Sequence, residues 1–100
     1  MSHLEMQVSE FARFMDRVFP NWELALDTDR LDLSSDKNCF LGQLFGSFKR
    51  GCKELKLTLD QAVAFGFHTP TEPGTDARQY YANAKRAWVR ETEMRMPAFV

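Results

Sequence analysis

Residues 39–52 read CFLGQLFGSFKRGC, the densest cluster of glycine, cysteine and phenylalanine in the chain. Three glycines, two cysteines, three phenylalanines and a Lys-Arg pair fall within it. It can be taken as a phosphate loop, a paired-cysteine site or a packing surface. A phosphate loop needs G-x-x-x-x-G-K-[ST], because backbone amides, a lysine and a hydroxyl must reach one phosphate group together. Gly46 and Gly51 have that separation, but Cys52 stands in the lysine position and Lys53 in the hydroxyl position. Tight Cys/His metal sites use pairs two to four residues apart, whereas twelve residues separate Cys39 from Cys52, and His3 and His68 are remote. On one continuous helix the two thiols would lie about 20 Å apart, beyond the roughly 7 Å between Cα atoms that a disulfide tolerates. Only a break near Gly46 would bring them closer. The packing reading survives, with two free, small, buried thiols.

On that reading, Gly42 and Gly46 lie four apart on a helix face shared with Cys39, flanked by Leu41, Leu44, Phe45 and Phe48. The missing side chains would admit a second helix, while the leucines and phenylalanines fill the flanks. Gly42, Gly46, Leu44, Phe45 and Phe48, with Trp88 from further along, are the expected centre of the core. Helix-interior glycine costs about 1 kcal/mol relative to alanine, so close contact or a bend must compensate. A Gly42→Leu substitution is expected to destabilise by overpacking.

Helical patterning extends in both directions. Ser2-His3-Leu4-Glu5 forms a capping box, followed by Leu4, Val8, Phe11, Ala12, Met15, Val18 and Phe19 on one stripe, with Glu10, Arg13, Asp16 and Arg17 opposite. Pro20 ends this helix. Asn21 is a candidate cap for a short turn carrying Trp22 and Leu26, with a brief strand through Leu24 and Leu26 as the alternative. Leu31 and Leu33 alternate with Asp32, predicting a short extended segment with both leucines inward, and Ser34 or Ser35 is the expected cap of the next helix. A bend at Gly46-Ser47 precedes a second piece with Phe48, Cys52 and Leu55. Thr58-Leu59-Asp60-Gln61 is another capping box, and Gly66 with Phe67 fits a Schellman ending. Residues 68–75 (HTPTEPGT) read as a surface loop. A long last helix opens at Thr75 or Asp76, buries Ala77, Tyr80, Tyr81, Ala84, Ala87 and Trp88, and stops at Pro97. The expected fold is all-α: one domain over residues 1–100, a compact bundle of four to five helices with a short extended segment at 31–33.

Charge narrows the function classes. The net charge is −1, but residues 1–36 carry eight acids against three bases and residues 37–100 six against ten. The balance is neither that of a strongly basic nucleic-acid binder nor that of an acidic mimic. Glu5, Glu10, Arg13, Asp16 and Arg17 interrupt the N-terminal apolar residues, so no export signal is read there. The longest uncharged run, Asn38–Phe48, is too short to span a membrane. A cytoplasmic protein with reduced thiols is expected. The ladder Asp27, Asp29, Asp32, Asp36 fails the calcium-loop pattern, with Leu31 at the third ligand, Asp32 at the obligatory glycine and Asn38 at the bidentate glutamate. Turn and cap chemistry explains those acids. Cys39 or Cys52 beside His68 is too sparse a pairing to indicate a nucleophile and base. No enzyme, metal or cofactor is expected.

Two binding readings remain. Arg78, Lys85, Arg86 and Arg90 share an arc of the last helix, and Met94, Met96, Phe99 and Val100 follow. Arg78, Lys85, Arg86, Arg90, Met94 and Phe99 are the candidate partner-binding residues, the tail packing back on the domain being the structural alternative. The second reading is a helix-turn-helix variant, in which residues 57–67 (LTLDQAVAFGF) give the first helix and the basic arc reads DNA.

LDLSS at 31–35, CFLGQLFGSF at 39–48, the run from Leu57 through Ala62 to Gly66-Phe67, and Tyr81 with Ala87-Trp88 resemble small proteins encoded by actinobacterial phages and prophages. Lys56, where that pattern has glycine before the leucine, and Phe48, often tyrosine, depart from it. The resemblance implies an accessory role in the bacterial host cytoplasm, with no catalytic or ligand residue to carry over. The expected function is non-catalytic binding of a host or phage protein, in host takeover or as an anti-defence inhibitor; a small DNA-binding regulator is the alternative. A homodimer is an admissible arrangement.

Overall fold

A computed structural model describes residues 2–69 and 74–96. Its first helix, α1 (His3–Val18), begins at the predicted capping box: Ser2 Oγ accepts the Glu5 amide at 3.1 Å while the Glu5 carboxylate accepts the Ser2 amide. Val8, Phe11, Ala12 and Met15 are buried. Val18 is 49% exposed, a correction to the stripe: it is the last residue of the helix, and it is the next one, Phe19, that packs edge-on to Phe45. One turn, α2 (Trp22–Ala25), follows. Asn21 precedes it in the left-handed region without a side-chain cap, and Trp22 and Leu26 are both buried.

Leu31 and Leu33 point inward and Asp32 outward, as the alternation predicts, yet no strand forms among the described residues. The segment is instead a folded loop laid over the next helix. Asp27 Oδ1 accepts the amides of Asp29 and Arg30, and Asp32 Oδ1 accepts the Ser34 amide and hydroxyl. These are the turn roles expected of the acidic ladder. The serines do not cap the helix, because both are engaged within the loop; Ser35 Oγ accepts the Asn38 amide. The cap of α3 (Phe40–Phe45) is Cys39, whose Sγ accepts the Gly42 amide at 3.1 Å.

The break falls where expected. Gly46 closes α3 at φ +100°, and Ser47 caps α4 (Phe48–Leu55) by accepting the Arg50 amide. The glycine roles are redistributed, however. Gly46 is exposed, with nothing within 4 Å of where a Cβ would stand, so its place is a turn and not the core. Gly42 is buried against the loop: a Cβ there would stand 2.7 Å from the Lys37 carbonyl and against that of Asp36. The close approach of two helices belongs to Gly51, whose Cβ would stand 2.6 Å from Leu41 Cβ. Leu44, Phe45 and Phe48 are half-buried at the edge of the core, and Trp88 is fully buried.

α5 (Leu59–Ala64) opens on the Thr58/Gln61 capping box. Its Schellman ending is complete, with the Phe67 amide donating to Ala62 and the Gly66 amide to Val63. Gly66 needs both its properties there: φ is +80°, and a Cβ would press on Ala84 of the last helix. That helix, α6 (Ala77–Arg95), is capped by Asp76, which accepts the Gln79 amide. It lies beside α1 in the same sense, since Glu5 meets Arg90 and Asp16 meets Arg95. Among the described residues there are six helices and no strand, so the fold is all-α. The count exceeds the expected four to five because α2 is a helix of one turn and the Gly46 break yields two helices.

The core is aromatic. Trp88 lies against Phe40 at 4.2 Å between ring centroids and against Phe67 at 5.5 Å, with Trp22 edge-on at 5.7 Å. Both indoles keep their N–H groups satisfied, Trp88 on the Phe65 carbonyl and Trp22 on Asp16. Large rings bury roughly 150–250 Å² each, which is how a chain of this size sustains a core.

Candidate interaction surface

The motif around residue 39 proves to be scaffold. Gln43 ties the loop down: its Oε1 accepts the Asp27 amide at 2.7 Å, and its Nε2 donates to the Asp27 and Asn38 carbonyls, each at 3.0 Å. Lys37 Nζ donates to the Gly46 carbonyl, and the Phe48 amide donates to the Asp36 carboxylate. Gln43 and the close fit at Gly42 therefore hold the loop to α3, and Lys37 and Asp36 hold it to Gly46 and the start of α4. The Cys39 thiol is spent on its own loop, accepting from Gly42 and donating to the Asp36 carbonyl, and burial pushes its pKa up. Cys52, expected to be buried as well, is only half-buried at the edge of the core, and that partial burial raises the pKa of its thiol too. Both cysteines are free. His68 Nδ1 lies 2.9 Å from the Thr69 carbonyl, with its ring near Phe48. Among the described residues no three His, Cys, Asp or Glu side chains come together.

A polar cluster that sequence reading missed joins the ends of α1, α2 and α6. Arg95 reaches Asp16 with two parallel hydrogen bonds, Nε to Oδ1 at 2.9 Å and Nη2 to Oδ2 at 3.0 Å. Its Nη1 donates to the Glu91 carbonyl and carboxylate, at 2.8 and 3.0 Å. The guanidinium stands 5.4 Å from the centre of the Trp22 ring, and Trp22 Nε1 donates to the same Asp16 oxygen. Arg95 thus holds the Asp16 carboxyl below its usual range, assisted by Trp22 and opposed by partial burial. Glu91 and Thr92 are buried although polar, Thr92 by returning its hydroxyl to the Trp88 carbonyl. Only the four-residue spacing of Glu91 and Arg95 was visible in the chain. Their partner Asp16 is distant in sequence.

Five of the six candidate partner-binding residues, Arg78, Lys85, Arg86, Arg90 and Met94, stand on α6. Its inner face buries Ala84, Ala87, Trp88, Glu91 and Thr92, whereas Ala77 is exposed and Tyr80 and Tyr81 are half-buried. Tyr80 donates its hydroxyl to the Val63 carbonyl. Arg78, Arg86 and Arg90 are exposed, Lys85 is half-buried, and Met94 is 67% exposed. Phe99 and the rest of the 97–100 tail lie outside the described residues, as do 70–73 of the predicted surface loop. Two clefts flank α6. One, of about 550 Å³, lies toward the start of α1 and is lined by Ser2, Glu5, Tyr80, Asn83, Arg86 and Arg90. The other, of about 610 Å³, lies toward the folded loop, where Asp29 and Asp32 face Arg78 and Lys85. Arg90 is 3.6 Å from Glu5, and Arg86 donates to Asn83.

No family model, curated protein or solved structure matches the chain. None of the described helices is long and apolar enough to cross a membrane.

Proposed function

We propose that the protein is a non-catalytic binding module, a small phage-encoded accessory protein that holds a host or phage protein in the bacterial cytoplasm, for host takeover or to block defence. The phage role rests on the resemblance of residues 31–48 and their neighbours. The binding reading rests on α6, the longest helix, which closes the core with one face and leaves an uncovered row of basic and apolar side chains on the other. The engaged Cys39 thiol and the scaffold role of the 39–52 stretch support it further, since the residues that looked most like a chemical site hold loop and helices together.

The four cations of α6 are also what a DNA-binding reading would use. It is the weaker one because residues 65–76 separate α5 from α6, whereas a helix-turn-helix has a three- or four-residue turn. The test is capture with the full chain as bait in host lysate, followed by reconstitution of the complex from purified components. A single protein partner that re-forms a complex of fixed stoichiometry is expected. A folded bait that retains no protein, or that retains duplex DNA with a steep salt dependence, contradicts the proposal.

A further inference from the structure

The outer side of α6 has an ordered pattern. Arg78, Ala82, Arg86, Arg90 and Met94 follow one another at four-residue intervals, and Lys85, Val89 and Glu93 form the adjacent row. Residues so spaced stack along one side of a helix, and rows of this kind are the ridges by which helices pack against each other. From Arg78 to Met94 the ridge extends roughly 24 Å. Its middle is a shallow depression of about 520 Å³ in which Ala82 and Val89 supply the apolar surface and Lys85, Arg86 and Arg90 the rim. Four cations stand against the single anion Glu93.

Acids border the ridge on both sides. Glu5 of α1 lies against Arg90. On the other side, Asp29 and Asp32 line the cleft that contains Arg78 and Lys85. The cations of α6 therefore have carboxylates on both flanks of the helix. A helix seated in the DNA major groove has phosphate strands on both flanks, where here carboxylates would meet them.

We infer that the ridge receives an acidic amphipathic helix of the partner protein, laid along α6. Its carboxylates, at three- and four-residue spacing, reach Lys85, Arg86 and Arg90, and an aliphatic side chain sits between Ala82 and Val89, with Met94 covering one end. This rests on the protein-binding reading above and adds the chemistry of the partner.

The probe is a fluorescent helical peptide of about 18 residues, long enough to cover the ridge, with glutamates on one arc and a leucine seam. Its controls are a scrambled peptide of the same composition and a short DNA duplex. At low salt, where screening is weakest, anisotropy titration is expected to show the patterned peptide binding about tenfold more tightly than the scramble. The double variant Arg86→Glu/Arg90→Glu, and separately Ala82→Glu, should each weaken it by about tenfold or more. Thermal melts of the variants check that the fold persists. Equal binding of the scramble, indifference to either variant, no binding at low salt, or tighter binding of the duplex overturns the inference. If a captured partner binds Arg86→Glu/Arg90→Glu as well as the unaltered chain, this inference fails while the binding function stands. Failure of both capture and peptide removes both.

Discussion

Replacing Arg95 by alanine should be among the most damaging single changes outside the aromatic core. Arg95 is the only cation in contact with both Asp16 and Glu91 among the described residues, and its side chain is 17% exposed. The Glu91 side chain is 9% exposed, so the substitution leaves a nearly buried carboxylate with no opposite charge. Removing one partner of a fully buried pair costs about 3–5 kcal/mol. The Asp16 side chain is 43% exposed, so its share is screened by water and the expected loss falls to about 2–3 kcal/mol. For a domain of this size that corresponds to a fall in Tm of roughly 10–20 °C. The assay is thermal and urea unfolding of Arg95→Ala, Glu91→Gln and the double variant. If the unpaired charge is the cause, Glu91→Gln should recover part of the loss in the Arg95→Ala background while being mildly destabilising alone. A Tm change of only a few degrees for Arg95→Ala, or no rescue by Glu91→Gln, would show that Glu91 does not depend on Arg95 for its charge balance.

The glycines give a graded series. Gly51→Ala places a methyl on the Leu41 side chain and should cost about 1 kcal/mol after alanine's helix preference is credited. Gly42→Ala presses on the backbone of Asp36 and Lys37, which cannot rotate away, and should cost about 2–3 kcal/mol; urea midpoints in the reverse order would contradict this. Lys56 ends α4 at φ +56°, with the Leu57 amide donating to Cys52 and the Lys56 amide to Lys53. Lys56→Gly should therefore stabilise by about 0.5–1 kcal/mol, and a lowered Tm would exclude the assigned backbone conformation. Asp16 and Asp32 have depressed carboxyl pKa values, through Arg95 and through Ser34 respectively. Their contribution is present above the unfolded value near about pH 4 and lost as pH falls through the folded ones. Asp16→Asn should therefore lose less stability than the unaltered chain between about pH 5 and pH 2, and parallel acid limbs would rule that out.

The parts of the fold that were legible are those fixed by neighbours in sequence. The capping boxes at Ser2 and Thr58, the break at Gly46-Ser47, the Schellman ending at Gly66 and the Asp76 cap all depend on side chains within a few residues of the backbone they satisfy. Inward leucines at 31 and 33 were legible too, although alternation could not distinguish a strand from a folded loop. What depended on distant partners was hidden. Gly42, Gly46 and Gly51 are alike in sequence, and only the fold assigns them to a loop contact, a left-handed turn and a helix contact. Ser34 and Ser35 were better caps than Cys39 by residue type, but their hydroxyls are taken within the loop, by the Asp32 carboxylate and the Asn38 amide. Nothing near Arg95 in sequence points to Asp16, which reaches it only because α6 lies beside α1. The basic arc, by contrast, was readable from spacing alone; what the fold added is the acidic border on either side of it.

That border and ridge make α6 the place to look for contact. Photo-cross-linking with the captured partner, using a benzoylphenylalanine in place of the exposed Met94 at the end of the ridge or, as a control, of the exposed Leu59 on α5, leaves the cations of α6 intact. A cross-link from position 94 to an acidic helical segment of the partner, and none from position 59, is expected. Cross-linking from 59 with none from 94 would place the contact elsewhere and overturn the assignment to α6.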